Sequence, residues 1–500
     1  MELSVTAVIL TLTAILCLYY WNNRGRRSRL PPGPPALPLI GNSLHIDKRA
    51  PDRSLIQLGR KYGPVFTIWL GPRPAVVLCG YKAVKEALVD QADDFGARGT
   101  IPSISKVTNG YGIASSNGPR SRQLRSFAIT ALGHRGNGTS TLEGFVQQEA
   151  ETLVEAFTKT QELPFDPTFR LTCATANIMC AVVFGCRFDH TDPKLLALLH
   201  MMDENMKVIS SPWGQLYDLL PNLLDCLPGP HNRLFENANK IKSFLREMIQ
   251  LHKDTHREGT PRDFIESFLA KMDEEKGNPR SEFNDENLLL STFNIFLAGT
   301  DTTGSTMRWG LLIFLKYPEV QEKIQSEIDR EIGMDRTPCM GDREKMPYTN
   351  AAIHEIQRYA NIIPLNLPHT VTRDTEFRGF LIPKGMLVIP LLSSVLYDPS
   401  CWETPKSFNI NHFLDERGQL KHKDAFLPFS IGNRMCIGEK VAEMQLFIFL
   451  TTLLQKFTFR SPVEPSAIDI SPLSSGFSTL HHPYQLYCIP RRPARRPASE

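Results

Sequence analysis

Apolar residues recur along this chain in three patterns, each predicting a different element. Alternating β-branched and aromatic residues in "PVFTIWLG" (64–71) and "PAVVLCG" (74–80) flank a Gly-Pro turn and predict a β-hairpin. Apolar spacings of three and four predict amphipathic helices in "LEGFVQQEAETLVEAF" from Leu142 and "ENANKIKSFLREMIQLHK" from Glu236. The stretch "ENLLLSTFNIFLAGTDTTGSTMRWGLLIFLKYP" (286–318) is apolar on nearly every side, which predicts a helix running through the interior. Strand signals return in "FRGFLIPKGMLVIPLLSSV" (377–395) and around "YQLYCIP" near the end. No repeat of solenoid period is present. The expected fold is mainly α with a small β region at the edges of one large body.

A further stretch stands apart from that body. "LSVTAVILTLTAILCLYYW" (3–21) carries no charge, and its 19 residues as a helix reach roughly 28 Å, about one hydrocarbon core. Tyr19, Tyr20 and Trp21 form an interfacial belt, and Arg24, Arg26, Arg27 and Arg29 follow, which puts the C-terminal side in the cytosol. A cleaved signal peptide would want basic residues before the run, where only Glu2 stands, and a small-x-small site after it, where there are bulky aromatics. A single N-terminal transmembrane anchor over 1–23 is therefore expected. In "LPPGPPALPLIGN" (30–42) proline fixes φ and removes backbone donors, so a stiff, extended spacer is expected within a basic, proline-rich hinge over 24–42. The body then spans 43–490 and ends in a basic tail over 491–500.

Composition narrows the class. Hydrophobic content of 42% and charged content of 22% are ordinary for a globular protein and fit neither disorder nor a polytopic membrane protein. The net charge of +3 sits at the ends: the four N-terminal arginines join Arg491, Arg492, Arg495 and Arg496. Without those eight, 48 basic residues face 53 acidic ones, so no nucleic-acid partner is expected. The 10 cysteines include no C-x-x-C pair, which argues against a zinc ribbon or iron–sulfur cluster.

One cysteine has a specialised setting. In "FSIGNRMCIG" (429–438) Cys436 lies just before the apolar helix pattern "IGEKVAEMQLFIFLTTLLQKF", where a helix N-terminus is expected to lower the thiol's pKa. Gly432 can adopt a positive φ, and Gly438 lets a flat ligand approach the backbone. The interior helix also breaks its own pattern at "AGTDTT" (298–303), where glycine and threonines are poor helix formers and Asp301 is a charge in an apolar setting. Such a break points to a site; the alternative is a local bend with threonines bonding back one turn.

With these residues in this order, the sequence resembles the cytochrome P-450 family of haem-thiolate monooxygenases. Phe429, Gly432, Arg434, Cys436 and Gly438 match its haem-binding signature. "AGTDTT" is similar to its oxygen-activation motif, with Asp301 and Thr302 in the acid and alcohol positions. "EIQR" (355–358) resembles its E-x-x-R pair, and "PKSFNINHF" (405–413) the segment completing that network, with His412 where many members carry Arg. The anchor and "PPGPP" resemble the microsomal members, and "PHTVTRD" and "SNGPRSRQLRSF" are similar to vertebrate family two, so the resemblance runs almost end to end.

The resemblance implies the cytochrome P-450 fold, a single catalytic domain over 43–490. It implies haem b with Cys436 as the axial iron ligand, Arg434, Arg125 and His369 toward the propionates, and Phe429 and Gly438 in the ligand loop. Glu355, Arg358 and His412 are expected to form a buried structural network. Phe293, Phe296, Ala298, Ile363, Leu365 and Phe477 are expected to line an apolar substrate pocket, with part of 101–113. Thr302 and Asp301 would handle protons while one oxygen atom of O2 enters a lipophilic substrate; fatty acid hydroxylation and xenobiotic oxidation both stay open. No second nucleotide-binding signature is present, so electrons are expected from NADPH through NADPH–cytochrome P-450 reductase, with cytochrome b5 assisting. Arg120, Arg122, Lys421, Lys423 and Lys440 are candidates for the basic face such partners need. The implied location is the endoplasmic reticulum membrane with the catalytic domain in the cytosol, and leucines of 212–230 are expected to dip into membrane lipid and admit substrate. That topology leaves the "NGT" sequon at Asn137 unmodified.

Ser121 departs from the family pattern, which usually has Trp there as a second propionate donor; the change is expected to spare ligation by Cys436 and weaken haem retention. Two other classes remain: a haem-thiolate isomerase or dehydratase working without reductase, against which the Asp301–Thr302 pair speaks, and a non-catalytic haem-binding protein, for which Ser121 is the hint.

Overall fold

The computed structural model describes residues 30–491, apart from 39, 134–141, 256–258 and 260. The anchor expected over 1–23, the arginines of 24–29, the sequon at Asn137 and the tail beyond 491 lie outside the described residues. Among the described residues no helix is long and apolar enough to cross a membrane.

The expected hairpin forms, and it starts a mixed sheet. Val65–Leu70 (β1), Arg73–Cys79 (β2), Ala97–Arg98 (β3), His369–Thr370 (β4) and Leu387–Leu391 (β5) lie in the order β1-β2-β5-β4-β3. Only the β2–β5 pair is parallel. Alternation along the hairpin sends Val65, Val76 and Leu78 to the main core, and Phe66, Ile68, Ala75 and Val77 to a second cluster under Leu55 of Pro51–Tyr62 (α1). At the far edge, the antiparallel register sets Arg98 opposite His369.

The rest is mainly helical. The helices that position the site are Pro102–Thr108 (α2), Gly118–Gly133 (α3), Leu142–Thr158 (α4), Thr168–Phe184 (α5), Pro193–Ser210 (α6), Pro230–Thr255 (α7), Asp285–Lys316 (α8), Pro347–Ala360 (α9) and Glu439–Lys456 (α10). Helix α8 is the interior helix. Asn284 caps its start by accepting from the Asn287 N–H at 3.0 Å, and it stops at the residue before Pro318.

The "AGTDTT" segment does not interrupt α8. Thr300, Thr302 and Thr306 each donate to the carbonyl one turn back, on Phe296 (2.7 Å), Ala298 (2.8 Å) and Thr302 (2.9 Å), so the hydroxyls are satisfied within the helix. Gly299 is there for close packing, since a Cβ would lie 2.3 Å from Met179 Sδ of α5. The Thr175 hydroxyl of α5 donates to the Thr300 carbonyl at 2.9 Å, tying the two helices where they approach.

The proline-rich segment departs from its expected role as a spacer held clear of the body. The Thr67 N–H of β1 donates to the Pro32 carbonyl at 2.9 Å. Asn42 donates to the Pro35 carbonyl (3.0 Å) and accepts from the Trp69 N–H (2.7 Å). A Cβ on Gly33 would meet the Thr67 carbonyl oxygen at 1.9 Å. The open edge of β1 has donors that need partners, and carbonyls between prolines supply them. Pro32, Gly33, Pro35 and Asn42 therefore dock this segment on the body.

Glu355 and Arg358 on α9 are both fully buried, with two parallel hydrogen bonds of 2.7 Å between guanidinium and carboxylate. Arg358 also donates to the carbonyls of Leu396, Pro405 and Ser407, each at 2.8 Å. Glu355 accepts from the Asn409 N–H at 2.8 Å and lies 3.2 Å from His412 Nδ1. One ion pair thus gathers three separate chain segments. Glu355→Ala leaves the guanidinium buried and uncompensated, so unfolding stability should fall by about 3–5 kcal/mol in urea titrations followed by circular dichroism. A loss under about 1 kcal/mol would mean that the pair is not what holds these segments.

Candidate cofactor site

The Cys436 loop is shaped by its backbone. Gly432 sits at φ +81°, and a Cβ there would lie 1.9 Å from the Leu88 carbonyl oxygen, so only glycine fits. Gly432–Arg434 form one 3-10 turn, and the Cys436 N–H closes the loop on the Phe429 carbonyl at 2.9 Å. Helix α10 begins at Glu439, so Cys436 precedes its first turn.

Cys436 is exposed to solvent while its thiol lies deep among protein atoms. Burial pushes its thiol up, against the pull of the Gly438 N–H and of Arg125. Desolvation thus outweighs the lowering expected at the helix terminus. A Cβ on Gly438 would stand 3.8 Å from Cys436 Sγ, so this glycine keeps the space beside the sulphur clear.

Four nitrogen-bearing side chains gather around the same loop. Arg434 donates to the Ser121 hydroxyl, to the Ser116 carbonyl (2.6 Å) and to Asn117 Oδ1 (3.4 Å). Arg125 donates to the Met435 carbonyl at 2.7 Å. Arg98, on β3, donates to the carbonyls of Ala114 (3.3 Å) and Leu367 (3.1 Å). Across the register, His369 is buried with Nδ1 2.7 Å from the Phe95 carbonyl. Among the described residues no carboxylate pairs with these arginines, and Arg434 Nε and His369 Nε2 are buried without any partner.

The titration shifts fit this picture. Burial and then Arg125 bring Arg434 down to about 10; burial and then Arg434 push Arg98 far down; burial and then Arg98 take His369 to about 3. Sequence reasoning missed Arg98. Its only signal is a lone arginine between small residues in "GARG", and its membership rests on a strand pairing across about 270 residues.

Helix α8 has one accessible stripe in an otherwise buried run: Ala298 is exposed, and Asn294, Asp301 and Thr302 are half-buried one turn to either side. Burial raises the Asp301 carboxyl, and Arg308, 4.0 Å away, pulls it back.

The expected pocket residues divide. Ala298 is exposed, Phe293 is buried, and Ile363 and Phe477 are half-buried, while Leu365 packs on the cluster beneath the sheet. Phe296 is a correction: it is fully buried, its ring centroid 5.8 Å from that of Phe184, and it serves core packing rather than a cavity wall. Arg120 is a second. It is paired with Glu282 at 2.7 Å and lies over the Tyr111 ring, so it is not a free cation of a docking face.

An exposed cysteine beside a glycine-cleared space, arginines that meet no carboxylate among the described residues and an acid–alcohol pair on the central helix are the features on which a haem-thiolate protein would draw. The cytochrome P450 family profile matches residues 31–488. Cytochrome P450 2F3 of Capra hircus is 47% identical over 487 residues, covering 97% of this chain and 99% of the relative. Cytochrome P450 2C41 of Canis lupus familiaris is 49% identical over 486 residues (97% and 99%), and cytochrome P450 2G1 of Rattus norvegicus 47% over 482 (96% and 98%). The chain belongs to the cytochrome P450 family.

It is therefore a reductase-coupled haem-thiolate monooxygenase of lipophilic substrates, with haem b as cofactor and NADPH as the distant electron source. The residues present fit haem b: two carboxylates would answer the arginines and the orphaned Arg434 Nε, and Cys436 is exposed beside them. Gly438→Leu fills the space beside the sulphur, so haem per polypeptide should fall several-fold while far-ultraviolet circular dichroism is unchanged. Full haem content in that variant would mean that the ring does not lie over Gly438.

Proposed function

We propose that Cys436 is the iron ligand and that Arg98, Arg125, Arg434 and His369 hold the haem carboxylates, with the ring lying between the Cys436 loop and the Ala298–Thr302 stripe of α8. The observation that carries this reading is the coincidence of an exposed cysteine with neighbouring arginines that meet no carboxylate among the described residues, Arg434 Nε being buried without a partner. Bound there, haem supplies the activation of dioxygen by two electrons and the transfer of one oxygen atom to a C–H bond, the other leaving as water.

The chain's own residues then bind, orient and move protons. Ala298, with no side chain beyond Cβ, leaves room for substrate on the ring's distal side. Thr302 already spends its hydroxyl proton on the Ala298 carbonyl, so its oxygen is free to accept from a water or a protonated oxygen at the site. Asp301, raised by burial, exchanges a proton with that water more readily than an exposed carboxylate would. Arg308 keeps the carboxylate form accessible.

Around this centre we place a membrane system. Residues 1–23 anchor the chain in the endoplasmic reticulum with the body, 43–490, in the cytosol; 24–42 link the two, and 491–500 form a basic tail. Support comes from the sequence pattern and from exposed leucines at 216, 223 and 227, which give the 212–230 segment an apolar outer surface for lipid. Reductase, and cytochrome b5 as a second donor, dock on the exposed Arg122, Lys421 and Lys440. Substrates are lipophilic molecules of the fatty-acid or xenobiotic kind.

Three measurements test these assignments. The reduced protein under carbon monoxide should give a strongly red-shifted Soret band that Cys436→Ser loses; a band at the ordinary imidazole position in the wild type would remove Cys436 as ligand. Thr302→Ala should retain the band but release several-fold more hydrogen peroxide per NADPH, and unchanged coupling would take Thr302 out of proton handling. Turnover with reductase should fall as salt is raised, whereas salt-independent turnover would dismiss the basic face.

A further inference from the structure

Ser121 is engaged in the site although it cannot itself reach a ligand as a charge. It is buried in the first turn of α3, and its hydroxyl accepts from Arg434 Nη1. The other terminal nitrogen, Nη2, is taken by the Ser116 carbonyl and Asn117 Oδ1. A guanidinium is planar and has five N–H donors on three nitrogens. With both terminal nitrogens fastened, the plane is set; of the two N–H donors left over, the second on Nη1 and the one on Nε, the Nε–H has its direction fixed by that plane. That donor is buried and has no protein partner.

The same short segment fixes the neighbouring arginine. Asn117 accepts from the Arg98 N–H at 2.6 Å and donates to the Arg98 carbonyl at 3.0 Å, a closed pair that locks the end of β3. Residues 116–121 thus hold the backbone of one arginine and the head of another, and neither arginine meets a carboxylate among the described residues.

We propose that Ser121 is a positioning residue for cofactor binding: its hydroxyl orients Arg434 so that Nε is aimed at a haem carboxylate before haem arrives. The donor role that a bulky indole would play directly is performed at one remove, through the guanidinium. This inference rests on the assignment of Cys436 as the haem ligand and goes beyond it, because it concerns the carboxylates and not the iron.

The test is haem release from the loaded full-length protein to a scavenging apo-haem-protein, for wild type, Ser121→Ala and Ser121→Thr. Each is first shown to give the red-shifted carbon monoxide band, so that a failure of thiolate ligation is seen separately. Ser121→Ala should release haem about tenfold faster or more, the effect of removing a hydrogen bond to a charged group, while Ser121→Thr stays within about twofold of wild type because it retains the hydroxyl. The proteins are then reconstituted with iron protoporphyrin IX dimethyl ester, whose esters carry no charge for Arg434 to meet. With the ester, Ser121→Ala and wild type should release at the same rate. Equal release of ordinary haem by Ser121→Ala and wild type would overturn the proposal. An acceleration that persists with the ester would overturn it too, since it would reflect packing around α3 alone.

Discussion

A guanidinium withdrawn from water must be answered by an anion or by a full ring of acceptors, and this protein uses the two answers in different places. Arg358 has both, a carboxylate and three carbonyls, and it ties Leu396, Pro405 and Ser407 to α9. Arg98, Arg125 and Arg434 have acceptors but no anion. The first arrangement is complete without a cofactor. The second, on the proposed assignment, would be balanced by the two haem carboxylates, and the sheet edge, α3 and the cysteine loop brace it.

That imbalance also ties stability to occupancy. Any ligand that binds the folded chain and not the unfolded one stabilises it by mass action. On the proposed assignment, haem carboxylates would also offset the repulsion among these arginines, and iron would offset the burial that opposes thiolate formation at Cys436.

Much of this was legible in the sequence, and the gaps have a common cause. The hairpin, the interior helix and the cysteine loop are local patterns in which neighbours along the chain are neighbours in space, so periodicity and glycine placement reveal them. The acid–alcohol pair announced itself by violating helix propensity. Arg98 did not, because its role depends on the register opposite His369. Phe296 was misplaced since a helix apolar on every side carries no phase, and nothing in its sequence says which face meets Phe184. The docked proline segment, the Arg120–Glu282 pair and the raised thiol of Cys436 all depend on partners or burial that tertiary structure alone supplies.

The halves of the site lie far apart along the chain: Arg125 reaches Met435 across 310 residues, and Arg434 reaches Ser121 across 313. During synthesis the first arginines leave the ribosome long before the cysteine loop exists, so for most of that time there is a half-built cradle with no floor. At about 5–20 residues per second the gap lasts from roughly a quarter of a minute to a minute. On the proposed assignment cofactor capture is a late event in the protein's life, and a chain stopped ahead of Arg434 and Cys436 would lack the residues that complete the cradle.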